Sequence, residues 1–276
     1  SYLPYIDGIN MGYASYGQHF DSLNATFSGM VQYVDYGTFT RRDETGADLG
    51  TFHAGEYVVQ VGGARAIDSL FSVGMNVKYL SSQLENYRAN GVAFDVGGVF
   101  NKRSAGLTIS AMVRNLGAVF STYTDQKEKL PYQVQLGTTY KFKHAPFRLG
   151  LMLENLQRWD LSYADPNADV QIDPTTGDPI VDKVTTGEKA MLHVIPNVEI
   201  LLGKNFMIRA GYNYRRRQEL SIAGKPGLSG VSFGVGVKVS KLHLSYGYAQ
   251  FNPAGASNTI TLAVRFAELK AAPPKQ

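Results

Sequence analysis

Hydrophobic and polar positions alternate with a period of two along most of the chain. In Tyr132-Gln-Val-Gln-Leu-Gly-Thr-Thr-Tyr-Lys-Phe142, one phase holds Tyr132, Val134, Leu136, Tyr140 and Phe142, and the other Gln133, Gln135, Thr139 and Lys141. Successive side chains of a strand point to opposite faces, so this segment divides an apolar surface from a polar one. The same pattern recurs in Phe71–Tyr79, Val231–Val239 and Asn258–Phe266. Alternation and turn residues together predict about thirteen strands, near 9–17, 22–40, 53–65, 70–82, 92–101, 105–120, 132–143, 147–158, 190–201, 205–216, 230–239, 242–250 and 258–267. Their length, roughly 9–13 residues, suits a tilted strand that crosses a bilayer.

The predicted connections alternate in length without exception. Short ones fall at 19–22, 66–69, 101–104, 144–147, 203–205 and 240–241, and longer ones at 41–52, 83–91, 121–131, 159–189, 217–229 and 251–257. Outer-membrane barrels carry short periplasmic turns on one rim and longer extracellular loops on the other. A β-sandwich has no reason to segregate its loops in this way. Residues 1–8 read as the end of one further strand and its outer loop, which brings the count to an even number near fourteen. The expected fold is therefore all-β: a transmembrane antiparallel barrel in the bacterial outer membrane. It forms a single domain over residues 1–267, its first strand truncated, with a flexible periplasmic tail at 268–276.

Composition changes this picture little. Apolar residues make up 44 % of the 276 positions, yet the mean hydropathy is −0.16, as expected when inward polar residues dilute an apolar exterior. No run approaches the roughly 18 apolar residues of a membrane helix. The absence of cysteine removes disulfides and thiolate metal sites. A net charge of +4 is too small for the clustered basic surface of a nucleic-acid binder. No secretory signal pattern follows Ser1, so an exported chain would have lost its leader or begin inside the mature protein.

The inward phase carries Lys78, Asp95, Arg114, Lys141, Arg209, Lys238 and Arg265, with Gly and Ser between them. A narrow barrel filled by paired internal charges is the favoured reading over an open solute path. Met112-Val-Arg-Asn-Leu-Gly117 and Met152-Leu-Glu-Asn-Leu-Gln157 form a faint echo where strands meet long loops. The loop containing Asp165, Asp169, Asp173, Asp178 and Asp182 is acidic, but prolines interrupt it and no regular calcium-binding core appears. Arg215, Arg216 and Arg217 stand at a strand end, where guanidinium groups could hold lipopolysaccharide phosphates or an acidic partner loop, or simply anchor the strand at the interface. With Asp165, Asp169 and Asp173 they are the candidate partner-binding residues. The five histidines show no metal-ligand spacing, no nucleophile elbow is present, and the Gly-rich stretches lack a following helix. Neither enzymatic activity nor a cofactor or metal is expected.

Glu128-Lys-Leu-Pro-Tyr-Gln-Val-Gln-Leu-Gly137, Lys141-Phe-Lys-His-Ala-Pro-Phe-Arg148, Leu156-Gln-Arg-Trp-Asp160 and Arg114-Asn-Leu-Gly117 resemble the PorQ branch of the PorV/PorQ family. These are FadL-like outer-membrane barrels of the Bacteroidetes type IX secretion system. The resemblance extends over roughly residues 1–267, and its distinctive words cluster in 112–160. It implies a fourteen-stranded FadL-like barrel that is no catalyst, in the attachment complex that receives secreted cargo. There a PorQ-type barrel anchors the surface protein PorZ, which presents anionic lipopolysaccharide to the sortase PorU, while PorV shuttles cargo. Family members carry a stretch before the first strand that does not appear in this sequence, so the resemblance does not extend to any plug formed by it. The last strand resembles the assembly signal of such barrels but is followed by about ten more residues.

Three functions follow as expectations. The first is a non-enzymatic anchor with loops 41–52, 159–189 and 217–229 as a partner platform. The second is a FadL-like channel for hydrophobic compounds. The third is a soluble protein of two packed sheets.

Overall fold

Fourteen strands close into one barrel. The computed structural model describes residues 1–5, 8–123, 129–162, 184–220, 227–252 and 255–266. The expected tail at 268–276 lies outside them. The strands are β1 (Tyr2–Pro4), β2 (Asn10–Phe20), β3 (Ala25–Arg42), β4 (Asp48–Ala66), β5 (Phe71–Leu84), β6 (Tyr87–Lys102), β7 (Leu107–Ser121), β8 (Gln133–Lys141), β9 (Phe147–Leu153), β10 (Val194–Leu202), β11 (Phe206–Tyr212), β12 (Val231–Val239), β13 (Leu242–Asn252) and β14 (Gly255–Val264). Two short helices, α1 (Thr186–Met191) and α2 (Tyr214–Leu220), follow β9 and β11. Every strand pairs antiparallel with its sequence neighbours, and Tyr2 opposite Ile260 joins β1 to β14. One closed sheet excludes two packed sheets.

The distribution of side chains is that of a globular protein turned inside out. Among the described residues the buried hydrophobic side chains are Ala54, Ala93 and Leu192, while Lys78, Asp95, Glu154, His193, Glu199 and Asn213 are buried polar ones. Val59, Val61, Val73, Met75, Phe94, Val96, Leu136, Leu149, Val235, Leu244 and Leu262 are exposed. The pairing register places them in one outward phase, with Val61 opposite Val77, Met75 opposite Val96 and Val235 opposite Tyr246. Alternation along each strand thus becomes an apolar outside and a polar inside.

Aromatic residues collect toward the two ends of this apolar band. Near the short turns, Phe20 packs on Phe27 and Phe71 on Phe100, with ring centroids 5.8 and 5.0 Å apart. Toward the opposite rim, Tyr33 lies opposite Tyr57, and Tyr79 packs near Phe120. Aromatic girdles of this kind suit membrane interfaces, where one end of the ring meets hydrocarbon and the other water.

One rim is made of tight turns, as the sequence predicts. Asn24 follows a 3-10 turn with φ 46°, and Asp68 accepts from the backbone N–H groups of Leu70 and Phe71, both at 2.7 Å. On the other rim the strict succession of long connections fails at three of the six predicted loops, 41–52, 83–91 and 251–257. The predicted loop 83–91 is a two-residue turn between β5 and β6, with Glu85 at φ 56°, and β13 and β14 continue through most of 251–257. Ser81, Ser82, Gln83, Arg88 and Asn90 remain paired strand residues. Ladder hydrogen bonds need no apolar side chains, so a hairpin continues past the apolar band, and alternation cannot see it.

Strand length is uneven around the barrel: β3 and β4 have 18 and 19 residues, β9 and β11 only 7. β2 leaves β3 at Asp35, and β5 leaves β4 at Ala54. Beyond those points Thr38–Arg42 and Asp48–His53 pair with one another, forming a two-stranded ribbon above the barrel wall. The predicted loop 41–52 is therefore mostly strand, turning at 43–47, where Asp43 accepts from Thr45 and Ala47.

Candidate functional site: the lumen and the long-loop mouth

The interior is organised by three ionic networks. The first joins β5, β6 and β7. Lys78 Nζ donates to Asp95 at 2.6 and 2.8 Å and to Asn115 Oδ1 at 3.0 Å. A register shift in β7 sets Arg114 and Asn115 against Asp95, and Asn115 takes a left-handed conformation with φ 58°. The backbone N–H freed by this bulge donates to Asp95 at 2.9 Å. A buried charge is tolerable when paired and fully hydrogen-bonded, which this geometry provides.

The second network lies across β9, β10 and β11. Arg148 and Arg209 flank Glu199, one on each neighbouring strand. Arg148 Nη1 donates to Glu199 Oε2, and Arg209 Nε donates to Oε1 at 2.7 Å. It borders a cavity of about 520 Å³ lined also by Thr139, Asn197, Ser232, Ser245, Thr259 and Thr261. A second lumenal space of about 300 Å³ lies along β5–β7 beside Asn76, Asp95 and Ser110. On the far side of the same wall, outside the barrel, an apolar groove of about 640 Å³ is lined by Phe27, Val61, Gly63, Val73 and Met75. Lumenal space and groove thus lie back to back, separated by backbone that carries Gly62, Gly63, Ala64 and Gly74.

The third network lies at the long-loop rim. Glu154, next after β9, accepts from Arg215 Nη2 at 3.1 Å and from Asn213 Nδ2 at 3.4 Å. Asn213 Oδ1 also accepts from the Arg216 N–H at 2.9 Å, which caps the start of α2. Buried His193 sets its ring nitrogens 2.8 and 3.1 Å from the carbonyl oxygens of Glu154 and Trp159, and the Trp159 ring stacks on it. Thr185 and Glu188 form a reciprocal capping box on α1, and Lys189 reaches Asp160 at 2.5 Å. That bond, with Ser162 donating as well, holds the Asp160 carboxyl well below the usual range. On the opposite wall the Tyr123 hydroxyl donates to Ser82, which donates to Glu56 at 3.2 Å, so the start of the β7–β8 loop folds against the inner wall.

The positions singled out from sequence fare differently. Lys78, Asp95, Arg114, Lys141, Arg209 and Lys238 all take inward register positions. The strand predicted to reach 216 ends at Tyr212, and Arg215, Arg216 and Arg217 belong to α2. A run of good helix formers, Tyr-Arg-Arg-Arg-Gln-Glu-Leu, turns there rather than extending. The three side chains are partly buried. Arg215 is held by Glu154, and Arg217 Nη1 donates to the Gly227 carbonyl at 2.8 Å. Burial, reinforced by Arg215, pushes the Arg216 guanidinium below its ordinary pKa, against the pull of Glu154. Asp165, Asp169 and Asp173 lie outside the described residues. Arg148 and Glu199, which fall in the inward phase of their strands, and Glu154, which directly follows β9, are functional residues that the sequence reading misses. The capping-box signature Thr185-x-x-Glu188 was likewise there to mark α1. Among the described residues no cluster of three His, Asp or Glu side chains is placed to hold a metal ion.

No protein-family model and no curated protein matches the chain. Among solved structures it is similar to the TodX monoaromatic hydrocarbon channel in a deltaS2 mutant, with a TM-score of 0.49, 12 % identity, and coverage of 94 % of this chain and 85 % of that one. The TodX deltaS2S3 mutant gives 0.47 and 11 %, covering 92 % and 81 %. The Ralstonia pickettii toluene transporter TbuX gives 0.45 and 10 %, covering 95 % and 84 %. The fold assignment itself rests on the closed pairing of fourteen strands.

Proposed function

We propose that the chain is an integral outer-membrane barrel that serves as a non-enzymatic anchor for a surface protein. Its exposed apolar band faces lipid, its tight turns face the periplasm, and its long-loop rim faces the cell surface. The observation that carries the anchoring role is the β3–β4 ribbon, which stands above the wall. Phe39 and Phe52 stack across it at 5.5 Å, and Phe39 and Leu49 are exposed. Phe39, Leu49 and Phe52 stand out on an otherwise polar ribbon, and among the described residues its two strands pair there only with each other; such edges make it a docking element, because its backbone can accept another strand. The contacts of Glu154, Asn213 and Arg215 support the same reading, since they tie α2 and the end of β9 together beneath the outer rim.

The resemblance in residues 112–160 names the complex. In this proposal the barrel belongs to a type IX secretion attachment complex and holds a PorZ-like protein that works with PorU, PorV and anionic lipopolysaccharide. The test replaces Phe39–Phe52 by an Asn-Gly turn and identifies the proteins that co-purify from native outer membranes. Loss of the surface partner from a folded barrel supports the anchor; retention of it assigns the docking elsewhere.

A second reading is a FadL-like channel for hydrophobic compounds, the activity named for the TodX and TbuX structures. The observation in its favour is the thin, glycine-rich wall with a lumenal space inside and an apolar groove outside. Uptake of toluene into proteoliposomes above a protein-free control would establish it.

A further inference from the structure

The turn-side half of the lumen is unevenly charged. The inward row of residues that lie opposite one another runs from Lys141 to Arg148, Glu199 and Arg209, and then to Gly234, Gly247 and Thr259. This row sets three cations against one carboxylate, with Lys238 nearer the turn rim on β12. Both oxygens of Glu199 are taken, one by each arginine. The side chains of Arg148 and Arg209 nevertheless remain 40 % and 50 % exposed, while that of Glu199 is only 10 % exposed. A guanidinium has five N–H donors in a planar fork, so each arginine keeps donors free of Glu199. The exposed parts border the cavity of about 520 Å³.

The opposite side of that cavity suits a ligand rather than another side chain. Gly234 and Gly247 leave the row empty beyond Arg209, and Ser232, Ser245 and Thr261 supply hydroxyl groups around the gap. Two guanidinium groups held apart by one carboxylate, facing a hydroxyl-lined space, match an oxyanion that takes a forked pair of hydrogen bonds.

We propose that this cavity binds a small oxyanion, a phosphate ester or a carboxylate, between Arg148 and Arg209. Glu199 positions both arginines and, in the unliganded barrel, competes for their donors. The site shares no residue with the β3–β4 ribbon, so the anchor reading and this one fail independently.

The test is calorimetric titration of the detergent-solubilised barrel with inorganic phosphate and with citrate. Saturable binding of at least one is expected; phosphate alone assigns a phosphate ester, and citrate alone assigns a carboxylate. Arg148→Gln and Arg209→Gln each weaken it about tenfold, whereas Glu199→Gln frees both arginines and strengthens it by a similar factor. A purely structural ion triad would show no anion binding in any form. In wild type, the same anion should protect Arg148 and Arg209 from phenylglyoxal and leave Arg103 in its exposed turn reactive. That measurement stands even if a variant does not fold. Absence of binding at millimolar anion, or binding unchanged when both arginines are replaced, overturns the proposal.

Discussion

Asn115 and Asn155 adopt the same left-handed backbone conformation, φ 58° in each. Both follow an inward charged residue, Arg114 and Glu154, and both direct a side-chain oxygen to another strand, β5 across β6 for Asn115 and the adjacent β8 for Asn155. Asn115 Oδ1 accepts from Lys78, and Asn155 Oδ1 accepts from Gln133 Nε2 at 3.1 Å. The faint sequence echo is thus one structural device used twice. At each copy an Asn turns the chain out of regular pairing, which glycine could also do, and adds a hydrogen bond, which glycine could not. Asn115→Gly should therefore keep the bulge and lose the Lys78 contact. Asn115→Ala should lose both and cost about 1–2 kcal/mol more. Urea unfolding in detergent, followed by the shift between folded and unfolded gel mobility, would measure the difference.

The Lys78–Asp95 pair predicts an asymmetric double-mutant cycle. Lys78→Met alone leaves the Asp95 carboxylate buried without its cation, at a cost of about 3–5 kcal/mol. Replacing both with Met and Leu removes the charges together and should cost much less. Equal losses in the single and double variants would contradict the pairing.

A charge placed on the outward phase tests the membrane placement. Val235 lies on the exposed face near the middle of β12, and Ser232 faces the lumen. Val235→Arg should destabilise the barrel by about 2–4 kcal/mol in lipid, and Ser232→Arg by well under half of that. Refolding into lipid vesicles at graded urea reports both.

Gly230 has φ 85°, and a Cβ there would stand 2.6 Å from the Asn213 carbonyl oxygen. Gly230→Ala should loosen the α2 cap without opening the barrel. Limited proteolysis within 213–230 should accelerate several-fold while the heat-modified gel shift stays unchanged.

Acid should release α1 before it affects the barrel. The Lys189 and Ser162 hydrogen bonds hold Asp160 below its ordinary pKa, and the Thr185 backbone and side chain do the same for Glu188. A carboxyl whose folded pKa is lowered stabilises above its unfolded pKa, and that contribution is lost as pH falls through the folded value. Hydrogen exchange in Thr186–Met191, taken relative to the intrinsic amide rate at each pH, should therefore rise once pH drops below about 4, the ordinary carboxylate range. Thr185→Ala should raise it already at neutral pH, by the roughly 1 kcal/mol of a lost cap.

These sites show where sequence reading succeeds and where it stops. Period-two alternation finds the strands wherever one face meets an apolar medium, so Phe71–Tyr79 and Val231–Val239 were plain to read. It goes silent above the band, where the β3–β4 ribbon and the β5–β6 hairpin are held by backbone pairing among mostly polar side chains. Inward charge was readable at Lys78 and Asp95, but not its pairing with Asn115, because that depends on a bulge that shifts register by one residue. Arg148 and Glu199 come together only through the pairing of β9 with β10, across the long 154–193 connection. Arg215 was read as the end of a strand because a helix of seven residues, tied to Glu154 across the mouth, leaves no periodic trace.

The seam of the barrel has a consequence for how the chain is made. β1 has three residues, and its link to β14 sets Tyr2 against Ile260, with the Ser1 and Thr261 hydroxyls 2.6 Å apart. No other strand pairing joins residues so distant along the chain. The hairpins from β2 to β14 can each form from neighbouring segments, but this joint must wait for nearly the whole polypeptide. Until then the curled sheet has two open edges and an apolar outside, the state most exposed to aggregation. Closure therefore depends on contacts of far longer range than any hairpin in the barrel.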